Sequence, residues 1–347
     1  RLPFRERILT GMIAARNAPV GAGHGSLELT ASKLNELAKG VYIIAATPFT
    51  DDGGLDLQSV DTLTDFYLRC GVHGFTPLGM MGEAHKLTAE ESLDVVKRVV
   101  GRAANKQVIV GVSHAGLENV RRLSHEAMVA GASGVMVAPP AGLKGDEGIY
   151  NYYAQVCAAL GPDIPVVYQD YPQATGVYLP PGVFERLVDD FKQIVMLKHE
   201  DAPGLAKLTR IRDGEKKAGR RRVSILVGNG GLYYPQEMRR GADGAMTGFA
   251  FPEMLVQVYE LFARGDTEKA EDLFDIYLPL VRHEVQPAIG LALRKEVLFR
   301  RGAIKSPRQR APGSSLAATD KAELDSMIKR LERRLAAAGY GHKMAAE

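Results

Sequence analysis

A lysine closes a short apolar run, Ile194-Val195-Met196-Leu197-Lys198, and His199-Glu200 follow it. The run has the composition of a buried strand. A lysine where such a strand surfaces is partly desolvated. Desolvation lowers an amine's pKa, and a neutral amine can attack a carbonyl to form a Schiff base. An isolated lysine at a strand end more often just extends its ammonium to water, so the rest of the chain must decide. Gly79 and Gly82 bracket a tight turn, Gly79-Met80-Met81-Gly82-Glu83. Such a turn can converge backbone N–H groups on an anion, here a substrate carboxylate. Tyr168 ends another apolar run, and a phenol within reach of the amine could shuttle protons. Cradle, amine and phenol together describe a Schiff-base site for a 2-oxo acid. Glu83, His85, His114 and His199 form a competing set that could bind a divalent metal, but they lack compact ligand spacing.

These residues need a scaffold. From Val41 short β-rich runs alternate with amphipathic stretches. Strands are expected at 41–47, 73–78, 107–113, 134–138, 165–169, 193–198, 223–228 and 243–247. Helices are expected at 58–70, 88–104, 117–130, 147–160, 181–191, 203–219, 232–240 and 252–264. Strict βα alternation implies a parallel sheet with right-handed crossovers. Eight units match a TIM (β/α)₈ barrel, for which about 250 residues is typical. A doubly wound open sheet would want a Gly-rich turn after its first strand, where Ala46-Thr47-Pro48-Phe49 stands. The expected organisation is an N-terminal extension over 1–40, a barrel over 41–265 and a C-terminal helical region over 266–347. In the extension, Gly21 to Ser26 reads as a link and Leu27 to Leu37 as a helix. Helices at 267–280, 283–301 and 319–337 follow the barrel. The last carries an apolar stripe, Leu324, Met327, Ile328, Leu331 and Leu335, suited to packing on the parent domain or to a subunit contact.

In a barrel, active groups come from the C-terminal ends of strands. That rule selects Thr47; the turn Gly79 to Glu83, with His85; His114; Tyr168 and Asp170; Lys198; Gly228 and Asn229; and Met246 and Thr247. Strands five and six are adjacent, about 4.8 Å apart, which would bring Tyr168 to Lys198.

Composition excludes other classes. The 347 residues are 46% hydrophobic with a net charge of +3, which makes no general case for nucleic acid or an anionic membrane. The basic runs Lys216-Lys217 with Arg220 to Arg222, and Arg300-Arg301 with Lys305, Arg308 and Arg310, lack interleaved aromatics and read as solvated helix ends and loops. Two distant cysteines form no framework and suggest a reducing, cytoplasmic setting. No apolar run approaches a membrane span, and no apolar segment follows the first residues as in a signal peptide.

The motifs Thr47-Pro48-Phe49, Gly79-x-x-Gly82-Glu83, Tyr168 with Pro172 and Thr175-Gly176, Leu197-Lys198-His199-Glu200 and Gly241-Ala242-Asp243-Gly244 occur in this order. In them the chain resembles the dihydrodipicolinate synthase / N-acetylneuraminate lyase family of class I aldolases. The resemblance implies a TIM barrel that binds pyruvate or another 2-oxo acid, needs no cofactor or metal, and forms a homotetramer or homodimer. It implies that Lys198 is the Schiff-base lysine, that Tyr168 moves protons, and that the Met80 and Met81 N–H groups hold the carboxylate. The chain also departs from the pattern. Methionines replace the two threonines usual between the glycines, so a relay hydroxyl is lost. Ala138-Pro139-Pro140-Ala141 stands where the synthase has Pro-Tyr-Tyr. Ala174 stands where the synthase has a carboxylate-binding arginine. The stretch from Tyr168 to Pro172 is one residue longer than usual, which leaves Tyr171 as an alternative to Tyr168. The expectation is a Schiff-base aldolase or dehydratase acting on a 2-oxo acid, with an aldehyde as a further partner, and not the synthase reaction itself. His85, His114, Gln169, Asp170 or His199 would supply the missing proton transfers. A metal-dependent aldolase and a non-catalytic binding member are the alternatives.

Overall fold

The computed structural model describes residues 31–202 and 204–340. Eight parallel strands close into a barrel in sequence order, with the first paired to the last. They are β1 (Gly40–Ile44), β2 (Gly74–Thr76), β3 (Gln107–Gly111), β4 (Gly134–Val137), β5 (Val166–Asp170), β6 (Ile194–His199), β7 (Ser224–Val227) and β8 (Gly244–Thr247). Around them run α1 (Leu57–Arg69), α2 (Ala89–Arg102), α3 (Leu117–Val129), α4 (Asp146–Leu160), the single turn α5 (Pro172–Thr175), α6 (Pro181–Asp190), α7 (Leu205–Ala218), α8 (Tyr234–Arg239) and α9 (Pro252–Ala263). This is the expected TIM barrel. Each strand is extended because β-branched and apolar residues dominate it and turn residues bound it. The helices begin at readable caps: Asp56 accepts from the Ser59 N–H, and Thr88 with Glu91 forms a capping box.

Strand side chains alternate between two cores. Inside the barrel lie Tyr42, Ile44, Ile109, Met136, Val167, Met196, Leu226 and Met246. Outside, Val41, Ile43, Phe75, Val166, Tyr168 and Leu197 pack against the helices. One irregularity sits between β5 and β6. Val166 pairs with Ile194, but Val167 pairs with Met196, so Val195 is an extra residue. A bulge of this kind re-aims the side chains that follow it. Val195 and Met196 both join the inner core, and Lys198 comes two residues later on the same face.

The helix expected over Leu27 to Leu37 falls partly on residues 27–30, outside the described set. Residues 31–37 are not helical. They cross the N-terminal mouth of the barrel, where Gln107 donates to the Ser32 and Lys33 carbonyls and Leu34 joins the inner core. Bonds to the barrel rim replace the bonds that a helix would have made within itself. The link expected over Gly21 to Ser26 also lies outside the described residues.

After the barrel come α10 (Thr267–Glu284), α11 (Gly290–Arg300) and α12 (Ala318–Ala337). α11 starts at Gly290 rather than 283, because Pro287 and the left-handed Ala288 (φ 65°) interrupt the chain. Leu324 and Leu331 of α12 are buried, and Met327, Ile328 and Leu335 pack on the same core, so the apolar stripe faces the parent domain. The basic runs are less solvated than expected. Arg220 pairs with Asp189, Arg222 with Asp243, Arg301 with Glu253, and Arg310 with Glu91. Among the described residues, no helix is long and apolar enough to cross a membrane.

Candidate active site

Lys198 lies at the C-terminal end of β6 and faces the barrel interior with 3% exposure. Glu200 follows two residues later and so lies on the same face. Its carboxylate Oε2 is 3.1 Å from the Lys198 Nζ. Gln169 pairs with Lys198 across the β5–β6 ladder, and its amide Nε2 donates to the same Glu200 oxygen at 2.8 Å. The Glu200 backbone is held from both sides. Its N–H donates to the Asp170 carbonyl at 2.9 Å, and its carbonyl accepts from the Asn229 Nδ2 at 2.8 Å. Gly228 makes room for this, since a Cβ there would meet the Glu200 Cγ at 2.3 Å. A buried lysine, a buried carboxylate and an amide thus share one small volume. Nothing in the sequence pattern singled out Glu200 beyond its place after Lys198. The i, i+2 spacing from the lysine was the available signal.

Tyr168, expected to face Lys198, does not. Tyr168 pairs with Leu197, not Lys198, and its ring points out of the barrel. It stacks on Tyr153 at 4.1 Å between centroids and meets Phe184 edge-on at 6.2 Å. Burial, with Asp170 nearby, pushes its phenol well above the ordinary range, so it stays protonated. The reason is strand parity: Val167 and Gln169 face inward, Val166 and Tyr168 outward. Tyr171, the alternative, stands two residues beyond Gln169 in the loop that follows. Burial and the charge on Glu200 raise its pKa, which places it within electrostatic reach of the site.

Asp170 and His199, both expected near the chemistry, also face outward. Asp170 is 2.6 Å from the Lys207 Nζ and 3.6 Å from the His199 Nδ1, while the His199 Nε2 lies 3.0 Å from the Gly204 carbonyl. Together they brace the ends of β5 and β6 from behind. Behind them, burial pushes the Glu237 carboxyl of α8 up to about 7, with His199 opposing the rise and Glu200 adding to it. His85 and His114 are exposed, and the His114 ring accepts from the Gly116 N–H. The four residues of the metal alternative therefore do not converge. Among the described residues no group of three or more His, Cys, Asp or Glu is placed to hold a metal ion.

The turn from Gly79 caps the barrel mouth as a short 3₁₀ segment, Met80–Gly82. The first N–H groups of any helical turn lack acceptors within it, so those of Met80 and Met81 are available to an anion. The Met81 side chain packs on the inner core, while Met80 is 37% exposed. Leu78 enters the turn in the left-handed region (φ 60°). Its carbonyl would lie 2.2 Å from a Cβ at position 111, so Gly111 lets the turn cross the end of β3. The Thr47 hydroxyl donates to the Gly82 carbonyl at 2.5 Å and holds the turn rather than facing the lumen. Glu83, expected to touch substrate, is instead engaged by Lys295, Lys86 and the Arg310 N–H. Met246 lines the lumen, Asn229 is left-handed (φ 51°), and Thr247 alternates with Met246 to lie behind it beside Gly231. One lumen residue went unnoticed in the sequence. Thr76, paired with Ile44 on β1, is fully buried with its hydroxyl unpartnered among the described residues.

This geometry accords with what the chain is similar to. The sequence model of the dihydrodipicolinate synthetase family matches residues 37–331. An L-2-keto-3-deoxyarabonate dehydratase from Azospirillum brasilense is 29% identical over 299 residues, covering 85% of this chain and 94% of the relative. The crystal structure of a dihydrodipicolinate synthase from Rhodopseudomonas palustris superposes with a TM-score of 0.85 at 49% identity, covering 86% of this chain and 100% of the other. A pyruvate complex of YagE, a prophage protein of the dihydrodipicolinic acid synthase family from E. coli K12, superposes with a TM-score of 0.77 at 26% identity, covering 84% of this chain and 98% of the other. The match to the family model spans the barrel and most of the C-terminal helices, and the chain belongs to the dihydrodipicolinate synthetase family of Schiff-base (class I) lyases.

Proposed function

We propose that the protein dehydrates a 3-deoxy-2-oxo sugar acid through an imine on Lys198, with Glu200 as the proton-transferring group. The observation that carries the reading is the 3.1 Å pair between the Lys198 Nζ and the Glu200 carboxylate, with Tyr168 on the outer face of β5. Transfer of a proton from Lys198 to Glu200 frees the amine to attack the C2 carbonyl, and return of that proton to the carbinolamine hydroxyl expels it as water, gives the iminium and leaves Glu200 as the carboxylate. The iminium is an electron sink, so a C3 proton becomes acidic. The deprotonated Glu200 carboxylate lies beside the nitrogen and accepts that proton, which leaves an enamine. Return of the proton to the C4 hydroxyl expels it as water. Hydrolysis of the conjugated iminium then releases product and restores the amine. The net change is the loss of one water from the substrate.

Gln169 donates to Glu200 and orients it, with no proton to exchange at neutral pH. The Met80 and Met81 N–H groups take the C1 carboxylate, which holds C2 within reach of the amine. The relative from Azospirillum brasilense is named as a dehydratase of such an acid. Ala174 supports the dehydratase reading, because it presents no guanidinium to a second carboxylate-bearing substrate.

Borohydride trapping tests the reading. With pyruvate, and separately with a 3-deoxy-2-oxo pentonate, reduction should leave a stable adduct on the peptide containing Lys198. The pentonate should lose water on turnover. Release of a free aldehyde in its place would assign carbon–carbon cleavage. The absence of any adduct from folded protein would sink the imine reading. Tyr168→Phe gives a separate check. Its ring faces the helices, so turnover should stay within about threefold of the parent, far short of the roughly 10²–10⁴-fold loss expected for a proton-transfer group. A hundredfold fall in kcat would restore Tyr168 to the chemistry.

A further inference from the structure

The cradle turn is secured by a part of the chain that contributes no strand to the barrel. Glu83 ends the Met80–Gly82 segment with φ 54° and ψ 31°, a left-handed conformation. A residue with a side chain stays there only when its surroundings hold it. Its buried carboxylate takes three donors: the Lys295 Nζ at 2.5 Å, the Lys86 Nζ at 2.8 Å and the Arg310 N–H at 3.1 Å. Lys295 belongs to α11 and has no exposure. Its ammonium also donates to the Arg308 carbonyl at 2.9 Å and lies 4.6 Å from the centre of the Phe49 ring. The Arg310 guanidinium covers the same ring at 4.6 Å and is fixed by paired bonds to Glu91. Phe49 stands two residues after Thr47, whose hydroxyl holds Gly82. One buried ammonium therefore reaches both segments that frame the cradle.

A lysine without exposure costs the fold free energy unless it is well paired, and replacing such a buried ion pair as a whole by apolar side chains of similar volume is often neutral or stabilising. Its chemistry here is directed at the turn. We propose that Lys295 is a positioning residue for substrate binding. By holding Glu83 in its left-handed conformation, it keeps the Met80 and Met81 N–H groups aimed at the carboxylate of the 2-oxo acid. The C-terminal helical region is then a working part of the site. The proposal rests on the Schiff-base reading above.

The test is Lys295→Met in the full chain, in which Lys86 remains as counter-charge to Glu83. Borohydride trapping is followed against pyruvate concentration, with circular dichroism as the check on folding. Half-saturation by pyruvate should rise at least about tenfold, while the trapping rate at saturation stays within about threefold, the signature of lost binding rather than lost chemistry. Glu83→Gln combined with Lys295→Met removes both charges of the buried pair, leaves Lys86 bonded to the Arg310 carbonyl, and should show the same split. Half-saturation within about twofold of wild type in either folded variant would overturn the proposal, as would a fall in the saturated rate alone. If wild-type protein forms no adduct on Lys198, the Schiff-base reading fails and the proposal fails with it. An adduct in wild type with unchanged half-saturation in the variants removes the proposal alone.

Discussion

Lys198→Arg should abolish turnover, by roughly 10⁴-fold or more, and eliminate the borohydride-trapped adduct, while the protein remains folded. Arginine is the informative replacement. Its guanidinium stays protonated at any working pH, so it cannot attack a carbonyl. It can still sit against the Glu200 carboxylate, which is 6% exposed and needs a counter-charge. Lys198→Ala would remove that counter-charge. Breaking a buried pair costs about 3–5 kcal/mol, so loss of activity would be mixed with loss of fold. The measurement is kcat with a 3-deoxy-2-oxo acid alongside thermal unfolding. Residual turnover within tenfold of wild type would mean that the imine is formed elsewhere or not at all.

Glu200→Gln should lower kcat by about 10²–10⁴-fold, equivalent to roughly 3–5 kcal/mol of barrier. Its signature differs from that of the lysine variant. Glutamine keeps the shape and can still accept a bond from the Gln169 amide, but it cannot take the C3 proton. It leaves the Lys198 amine, which forms the imine, in place. Imine formation should therefore persist, and pyruvate should still be trapped on Lys198 while dehydration stalls. Hydrogen exchange at C3 of the bound oxo acid, followed by NMR in deuterium oxide, reports the proton transfer directly and should slow in parallel with kcat. Exchange and kcat both within threefold of wild type would remove Glu200 from the proton-transfer role and leave Tyr171, which feels the Glu200 charge, as its successor.

The two variants bear on a site that was half legible in the chain itself. Lys198 was readable because an apolar run ending in lysine is a local pattern. The turn was readable because Gly79 and Gly82 mark it whatever surrounds them. Tyr168 was misplaced for a reason that is also physical. Facing is a matter of odd or even position along a strand, and the pairing sets Tyr168 beside outward Leu197 and Gln169 beside inward Lys198. Read without that pairing, Tyr168 and Gln169 look like equal candidates for the inner face. Asp170 and His199 follow the same rule and end up bracing the strands from behind. Glu83 was read as a substrate contact because it belongs to the glycine turn. Its real partner, Lys295, is 212 residues away in sequence and invisible to any local pattern.

The order of strands and helices, the barrel class and the lysine at the end of the sixth strand were all determined by the sequence alone. They depend on periods of two and 3.6 residues and on Gly and Pro punctuation, which act over a few neighbours. Tertiary structure decided which side chains meet. Barrel closure and the bulge at Val195 brought Lys198 and Glu200 to the inner face beside Gln169, and strand parity in β5 kept Tyr168 outside. The C-terminal helices supplied the ammonium that pairs with Glu83 at the end of the glycine turn. Such contacts join residues distant along the chain, and their geometry exists only once the barrel has closed.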